Sequence, residues 1–213
     1  MNIRTILFDL DGTLIDTNEL IIQSFLHTFR QFGFTFSREE VKKFNGPPLR
    51  ETFEKIDPKQ ADDMLQTYLK HNHTYHNHYV KTFPYVLETV QHLRNRDIKM
   101  GVVTTKMRKG AYMGLRHTGL ARLFETVVTL DDVKRPKPHP EPVCKAMKEL
   151  EGEVETTLMV GDNSYDIEAG HNAGMHTAGV AWSQRGRDFL QQYKPTYMLE
   201  DMRDLLHLPI IHK

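Results

Sequence analysis

The 213-residue chain carries 28 basic and 28 acidic side chains, so its formal net charge is zero and no global field favours nucleic acid or an anionic membrane. No apolar run reaches the length of a membrane span. The single cysteine, Cys144, excludes an internal disulfide and suits a reducing compartment. With no basic, then apolar, leader at the start, a cytoplasmic protein is expected, of one core plus a modest insertion.

The first element is a strand. An apolar run, Ile6-Leu7-Phe8, leads into Asp9-Leu10-Asp11-Gly12-Thr13. Residues i and i+2 of a strand share a face, so Asp9 and Asp11 would point into the same space, and Gly12 permits a tight exit. Two adjacent anions repel unless a cation, a buried proton or a bound substrate offsets them. Mg2+ suits that task because it takes oxygen ligands, often one or two carboxylates plus a substrate phosphate. A polar strand-to-loop turn is the plain alternative. An EF-hand calcium loop begins the same way but needs a helix–loop–helix frame and a late glutamate, and the spacing here fails.

From residue 17 to 84 the pattern is helical and polar, with no strand. Leu20, Ile21, Ser24, Phe25, Thr28 and Phe32 fall at helical spacing. Asn45-Gly46-Pro47-Pro48 and Ile56-Asp57-Pro58 are breaks, and residues 59–80 form one long amphipathic helix. His71, His73, His76 and His78 lie on it. Positions 71 and 78 share one face, 73 and 76 another. The four therefore do not converge on a metal and are expected on a solvated face, with contact to a leaving phosphate as the alternative.

From Tyr85 onward the chain alternates. Helices are predicted over 86–95, 107–117, 139–150 and 164–172, and strands over 99–103, 126–129, 157–160 and 176–180. Cys144 falls in the third of these helices as a small buried residue, and Trp182 is expected to bury against the sheet end. The strands are short and almost continuously apolar, as when both faces of a sheet are covered. Repeated strand–helix–strand units with right-handed crossovers predict an α/β fold, a doubly wound parallel sheet interrupted after its first strand by a small helical domain.

In such sheets ligands bind beyond the carboxyl ends of the strands, and the polar chemistry falls there. Asp9 and Asp11 follow the first strand, Thr104-Thr105-Lys106 the second, and Gly161-Asp162-Asn163-Ser164-Tyr165-Asp166 a later one. Between them Arg135-Pro136-Lys137-Pro138-His139-Pro140 presents a lysine in a proline-stiffened loop. Singly, each has an ordinary explanation as a helix N-cap, a turn or a solvated lysine. Together, and in this order, they resemble the four motifs of the haloacid dehalogenase-like (HAD) hydrolase superfamily. The helical insertion is similar to the small cap of its C1 subclass. The resemblance implies a Rossmann-like core from residues 1–16 and 85–213 and a cap from residues 17–84.

It also implies roles. Asp9 is the nucleophile that forms an aspartyl-phosphate. Asp11 protonates the leaving oxygen and then activates water. Thr104 and Lys137 hold phosphoryl oxygens. Mg2+, or Mn2+ in its place, is held by Asp9, the backbone carbonyl of Asp11, and Asp162, with Asp166 supporting the metal shell or orienting Lys137. An aspartate at position 11 favours P–O hydrolysis over dehalogenation.

A closer resemblance runs through residues 11–28, 102–106, 124–133 and 159–163, which look like the PpaX-type inorganic pyrophosphatases. Those enzymes clear pyrophosphate released when the serine phosphate of HPr is removed by phosphorolysis. Phosphoglycolate phosphatase, another small phosphate-ester phosphatase, and a beta-phosphoglucomutase-like phosphomutase are the alternatives on the same core. The implied partner is a small anionic substrate, with no nucleic acid and no membrane, and nothing sets the oligomeric state. The turn from Asn45 to Arg50 is the candidate cap loop. Arg50 suits a bidentate contact to a second phosphate or a carboxylate, with Thr105 beside it as a further substrate contact. Lys106 and Lys134 would add positive potential at the rim.

Overall fold

The computed structural model describes residues 3–209. In chain order they form β1 (Thr5–Phe8), β2 (Ile15–Asp16), α1 (Asn18–Gln31), α2 (Arg38–Lys42), α3 (Leu49–Ile56) and α4 (Ala61–Tyr79). Then come β3 (Lys81–Thr82), α5 (Val86–Arg94), β4 (Lys99–Val103), α6 (Arg108–His117), β5 (Thr126–Val128) and α7 (Glu141–Glu149). The chain ends through β6 (Thr157–Gly161), α8 (Ser164–Asn172), β7 (His176–Val180), α9 (Arg187–Gln191) and β8 (Tyr197–Leu199).

Six strands make one parallel sheet in the order β5-β4-β1-β6-β7-β8. The first strand sits at its centre because later strands add on both sides of it. In β1, Ile6 and Phe8 enter one apolar layer with Val86, Val90 and Leu115, while Leu7 enters the other with Val143 and Ala146. That alternation explains the unbroken apolar run: each face needs its own hydrophobic residues. The α/β fold with a doubly wound parallel sheet is thus the one expected. No helix of the described residues is long and apolar enough to cross a membrane.

The helices α1 to α4 pack around a separate apolar cluster of Ile22, Phe25, Phe29, Val41, Phe53 and Met64. Phe25 lies at its centre, with ring centroids 4.8 Å from Tyr68 and 5.7 Å from both Phe29 and Phe53. Ser37 starts α2 with a capping box closed by Glu40. The break at 45–48 falls between α2 and α3, and that at 56–58 ends α3 at Ile56, as the glycine and prolines dictate.

Three expectations need correction. The stretch after residue 17 does contain a strand: β3 pairs antiparallel with β2, Ile15 opposite Thr82 and Asp16 opposite Lys81, tying the chain's exit from the sheet layer to its return. Two residues with an exposed lysine leave no apolar alternation to detect. The short strand β8 was likewise not anticipated. Finally, the histidines do not share a solvated face. His76 is fully buried, packed edge-on against His117 at the end of α6, with ring centroids 5.9 Å apart. His71 accepts or donates a hydrogen bond at 3.1 Å with Ser24 of α1 and stacks on His27. Only a partner surface, invisible to helical periodicity, decides such burial. Cys144 is free and half-buried, and Trp182, also half-buried, donates from Nε1 to the Thr13 carbonyl.

Candidate active site

Strand register brings the predicted residues together. Phe8 lies opposite both Val102 and Val160, so the residues just beyond it leave the sheet at the same edge as Thr104 and Asp162. The Asp9 N–H donates to the Val160 carbonyl at 2.9 Å and the Thr104 N–H to the Val128 carbonyl at 3.0 Å, carrying the ladder one step further. Asp9, Thr104, Lys137, Asp162 and Asp166 are all buried there, and with Asp11, Thr105, Asn45 and Gly46 they line one small cavity of about 40 Å³.

Lys137 is the hub. Its ammonium donates to Asp9 Oδ1 at 2.7 Å, to Asp166 Oδ1 at 2.6 Å and to the Val103 carbonyl at 2.8 Å. All three N–H groups are engaged. Burial alone would lower the pKa of this lysine, but Asp166 and Asp9 outweigh it and hold the group above the ordinary range. One ammonium serves several carboxylates. Burial therefore dominates at Asp9, whose pKa is pushed up to about 7 against the pull of Lys137, with Asp166 and Asp11 adding to the rise.

Asp166 is spoken for by other groups. Its second oxygen accepts from the Asn163 N–H at 3.0 Å, closing the capping box that starts α8. The Asp162 carboxylate has no donor among the described residues. Burial, and then repulsion from Asp9 and Asp166, raises its pKa well above the usual range. Carboxylate oxygens of Asp9, Asp162 and Asp166 lie within 4.8 Å of one another. Counting Asp11, four carboxylates face two ammonium groups, Lys137 and Lys106. The uncompensated charge is that of one divalent cation, and the oxygen-only donor set suits Mg2+. Gly12 makes room for this cluster: its φ is +86°, and a Cβ there would stand 2.3 Å from Asp162 Oδ2.

Asp11 is placed differently from Asp9. Both its oxygens accept from Lys106 Nζ, at 2.8 and 3.0 Å, an ion pair that sequence spacing gave no reason to expect. The Thr104 hydroxyl accepts from the Lys106 N–H at 3.1 Å, which leaves its own O–H free to donate. Thr105 Oγ1 donates to the Gly46 carbonyl at 3.0 Å, and Asn163 Nδ2 to the Asn45 carbonyl at 3.3 Å, so the 45–46 segment is fastened over the carboxylates. Arg50 stands apart. Its side chain is more than half exposed and is engaged by Asp62 and, at 3.5 Å, by Glu54. Lys134 is exposed and contributes only a backbone bond to Glu141.

The small cavity communicates with a larger one of about 570 Å³ between the helical insertion and the sheet layer; Asp11, Asn45, Gly46 and Thr105 line both. Its walls are mainly apolar and include Ile21, Phe25, Phe44 and Leu65. Lys106, Lys109 and His73 also line it.

Comparison with known proteins agrees with this geometry. The family model described as haloacid dehalogenase-like hydrolase matches residues 6–180. A pyrophosphatase PpaX from Oceanobacillus iheyensis is 52% identical over 206 residues, covering 97% of this chain and 96% of that protein. A pyrophosphatase PpaX from Anoxybacillus flavithermus is 54% identical over 209 residues, covering 98% and 97%. Among solved structures, a haloacid dehalogenase-like family hydrolase from Streptococcus pneumoniae superposes with a TM-score of 0.85 at 22% identity, covering 96% of this chain and 97% of that one, a likeness of fold.

Proposed function

The chain belongs to the haloacid dehalogenase-like hydrolase family, and from that premise we propose that it hydrolyses inorganic pyrophosphate to phosphate through an aspartyl-phosphate on Asp9. The observation that carries the mechanism is the Asp9 carboxylate, held at 2.7 Å by a buried lysine at the wall of a cavity of about 40 Å³. The substrate rests on the identity of about half with the two PpaX pyrophosphatases over nearly the whole chain.

In the proposed reaction a carboxylate oxygen of Asp9 attacks phosphorus. The P–O bond to the leaving phosphate breaks as the Asp9 O–P bond forms. Asp11 gives a proton to the leaving oxygen, then takes one from the water that attacks the aspartyl-phosphate, which restores Asp9 and releases phosphate. Thr104 supplies an O–H donor to the transferring group. Lys137, its donors already engaged, orients Asp9 and contributes charge rather than a free hydrogen bond. Asp9, Asp162 and the backbone carbonyl of Asp11 would hold Mg2+, which supplies the positive charge that lets an anionic nucleophile approach an anionic substrate. Asp166 acts by fixing Lys137. The helical insertion, residues 17–84, covers the site as a cap. The single free cysteine suits a reducing compartment, and we assign the enzyme to the cytoplasm.

The apolar walls of the larger cavity favour a second reading, a phosphate monoester with a small organic leaving group. Phosphate release from pyrophosphate, phosphoglycolate and an aryl phosphate, measured side by side with Mg2+, separates the two. Pyrophosphate should have at least a tenfold higher kcat/KM; a lower value than for either ester defeats the pyrophosphate assignment.

The metal reading has its own test. Asp9 and Asp162 have pKa values raised above those of an unfolded chain, so their burial costs nothing below about pH 4 and destabilises the metal-free protein as pH rises through the Asp9 value of about 7, Asp162 acting in the same direction. A cation takes up the deprotonated carboxylates. Mg2+ at a hundred times its Kd stabilises by about 2.7 kcal/mol, about 5–10 °C in Tm for a chain of this size. A thermal scan should give that shift at pH 8 and a much smaller one at pH 5. Equal shifts at both would remove these carboxylates from the metal site.

A further inference from the structure

Transfer from pyrophosphate leaves a phosphate ion, so negative charge builds on the departing group and a site for this reaction needs cations on that side. Arg50, the residue that sequence offers for it, is engaged by two carboxylates of its own helical region. The larger cavity, which Arg50 lines, holds another cation. Lys106 lies beside Asp11 with only 15% of its side chain exposed, so it is not a solvated surface lysine. Its stem crosses Gly110, where a Cβ would stand 3.0 Å from Lys106 Cε; the missing side chain there lets the lysine reach inward. Lys109 follows in the first turn of α6, which contains no acidic residue, and no carboxylate among the described residues pairs with it. Its neighbour Arg108, by contrast, is paired with Asp132, and the Arg108 N–H donates to Asp131. A cation at a helix N-terminus opposes the helix dipole, so Lys109 is unfavourably placed in the protein alone. His73, from α4 across the cavity, is half-buried and faces the same pair: burial first, then Lys109 and Lys106, holds its imidazole below the usual range. Lys106, Lys109 and His73 thus line one cavity with a single carboxylate, Asp11; exposed Lys70 and Arg50, the latter engaged by Asp62 and Glu54, also line it.

We propose that Lys106, Lys109 and His73 form the subsite for the leaving phosphate of pyrophosphate, with Lys106 shared between that phosphate and Asp11. This rests on the pyrophosphatase reading and adds to it the residues that distinguish a diphosphate from a monoester. It also gives the ion pair a task. Before substrate arrives, Lys106 keeps both Asp11 oxygens occupied. A second phosphate drawn to Lys106 shares its ammonium with Asp11, whereas an aryl ester has no group to engage the lysine.

The test compares kcat/KM for pyrophosphate with that for an aryl phosphate in the wild type, Lys109→Ala, His73→Gln and Lys109→Arg, with Mg2+ present throughout. The ratio of the two should fall about tenfold in each of the first two variants, carried mainly by KM for pyrophosphate, and recover in Lys109→Arg. Inhibition of aryl phosphate hydrolysis by methylenediphosphonate should weaken by a similar factor. Lys109 is exposed, and its removal relieves the dipole of α6, so the thermal midpoint should not fall. A wild-type preference for pyrophosphate that survives both substitutions within twofold overturns the subsite alone. A wild type with no such preference overturns the substrate assignment and the subsite with it.

Discussion

Replacing Asp9 by asparagine is expected to lower kcat for pyrophosphate on the order of 10⁴- to 10⁶-fold, the range seen when a covalent nucleophile is removed. The protein should stay folded. Asparagine retains an oxygen that can accept from Lys137, which keeps its other partners, Asp166 and the Val103 carbonyl. It also removes a charge that burial already disfavours, since the Asp9 pKa is pushed up to about 7. Without metal at pH 8, the variant should therefore melt at or above the wild-type temperature, and Mg2+ should raise its midpoint less. Phosphate release and a thermal scan on one preparation check both halves. Activity within a hundredfold of wild type would falsify the nucleophile assignment. A large fall in metal-free stability would instead mean that the anion, not merely an acceptor, is needed to hold Lys137.

The fold was legible in this sequence because strand and helix signals obeyed simple physics. The runs at 99–103 and 176–180 became strands with the bounds expected, since two covered faces demand continuous apolar residues. The helix at 164–172 falls where it was expected, started by a capping box of Asn163 and Asp166. Strand-end position also grouped Asp9, Thr104 and Asp162, and the structure brings them together with Lys137 from the proline-stiffened loop; their roles are a proposal. What could not be read was every contact set by tertiary approach. Lys106 is 95 residues from Asp11 in sequence, and only the packing of α6 beside the first strand's exit makes them partners. Arg50 looked free because Asp62 lies across a helix break. His76 looked exposed because the residue it packs against, His117, sits on another helix. Charge alone could not tell a donor with three partners, Lys137, from one without a carboxylate partner, Lys109.

Lys137→Met should have the largest effect on stability. The ammonium is 3% exposed and stands between Asp9 and Asp166; removing one partner of a buried ionic group while leaving the other costs about 3–5 kcal/mol. For a chain of this size that is a fall of about 6–20 °C in Tm. Turnover should drop at least on the order of 10²-fold, because Asp9 loses both its orientation and the adjacent charge. The pH dependence identifies the cause. Without the lysine, the pKa of Asp9, already pushed up to about 7, must rise further, so the deficit relative to wild type is greatest near pH 8, where Asp9 is forced to ionise. It shrinks towards pH 5 as Asp9 takes up a proton. Urea unfolding of both proteins at pH 5 and pH 8 measures that difference directly. A deficit of the same size at both values would assign the loss to packing of the lysine stem, and the account of Lys137 as the counter-charge that holds this carboxylate cluster together would fail.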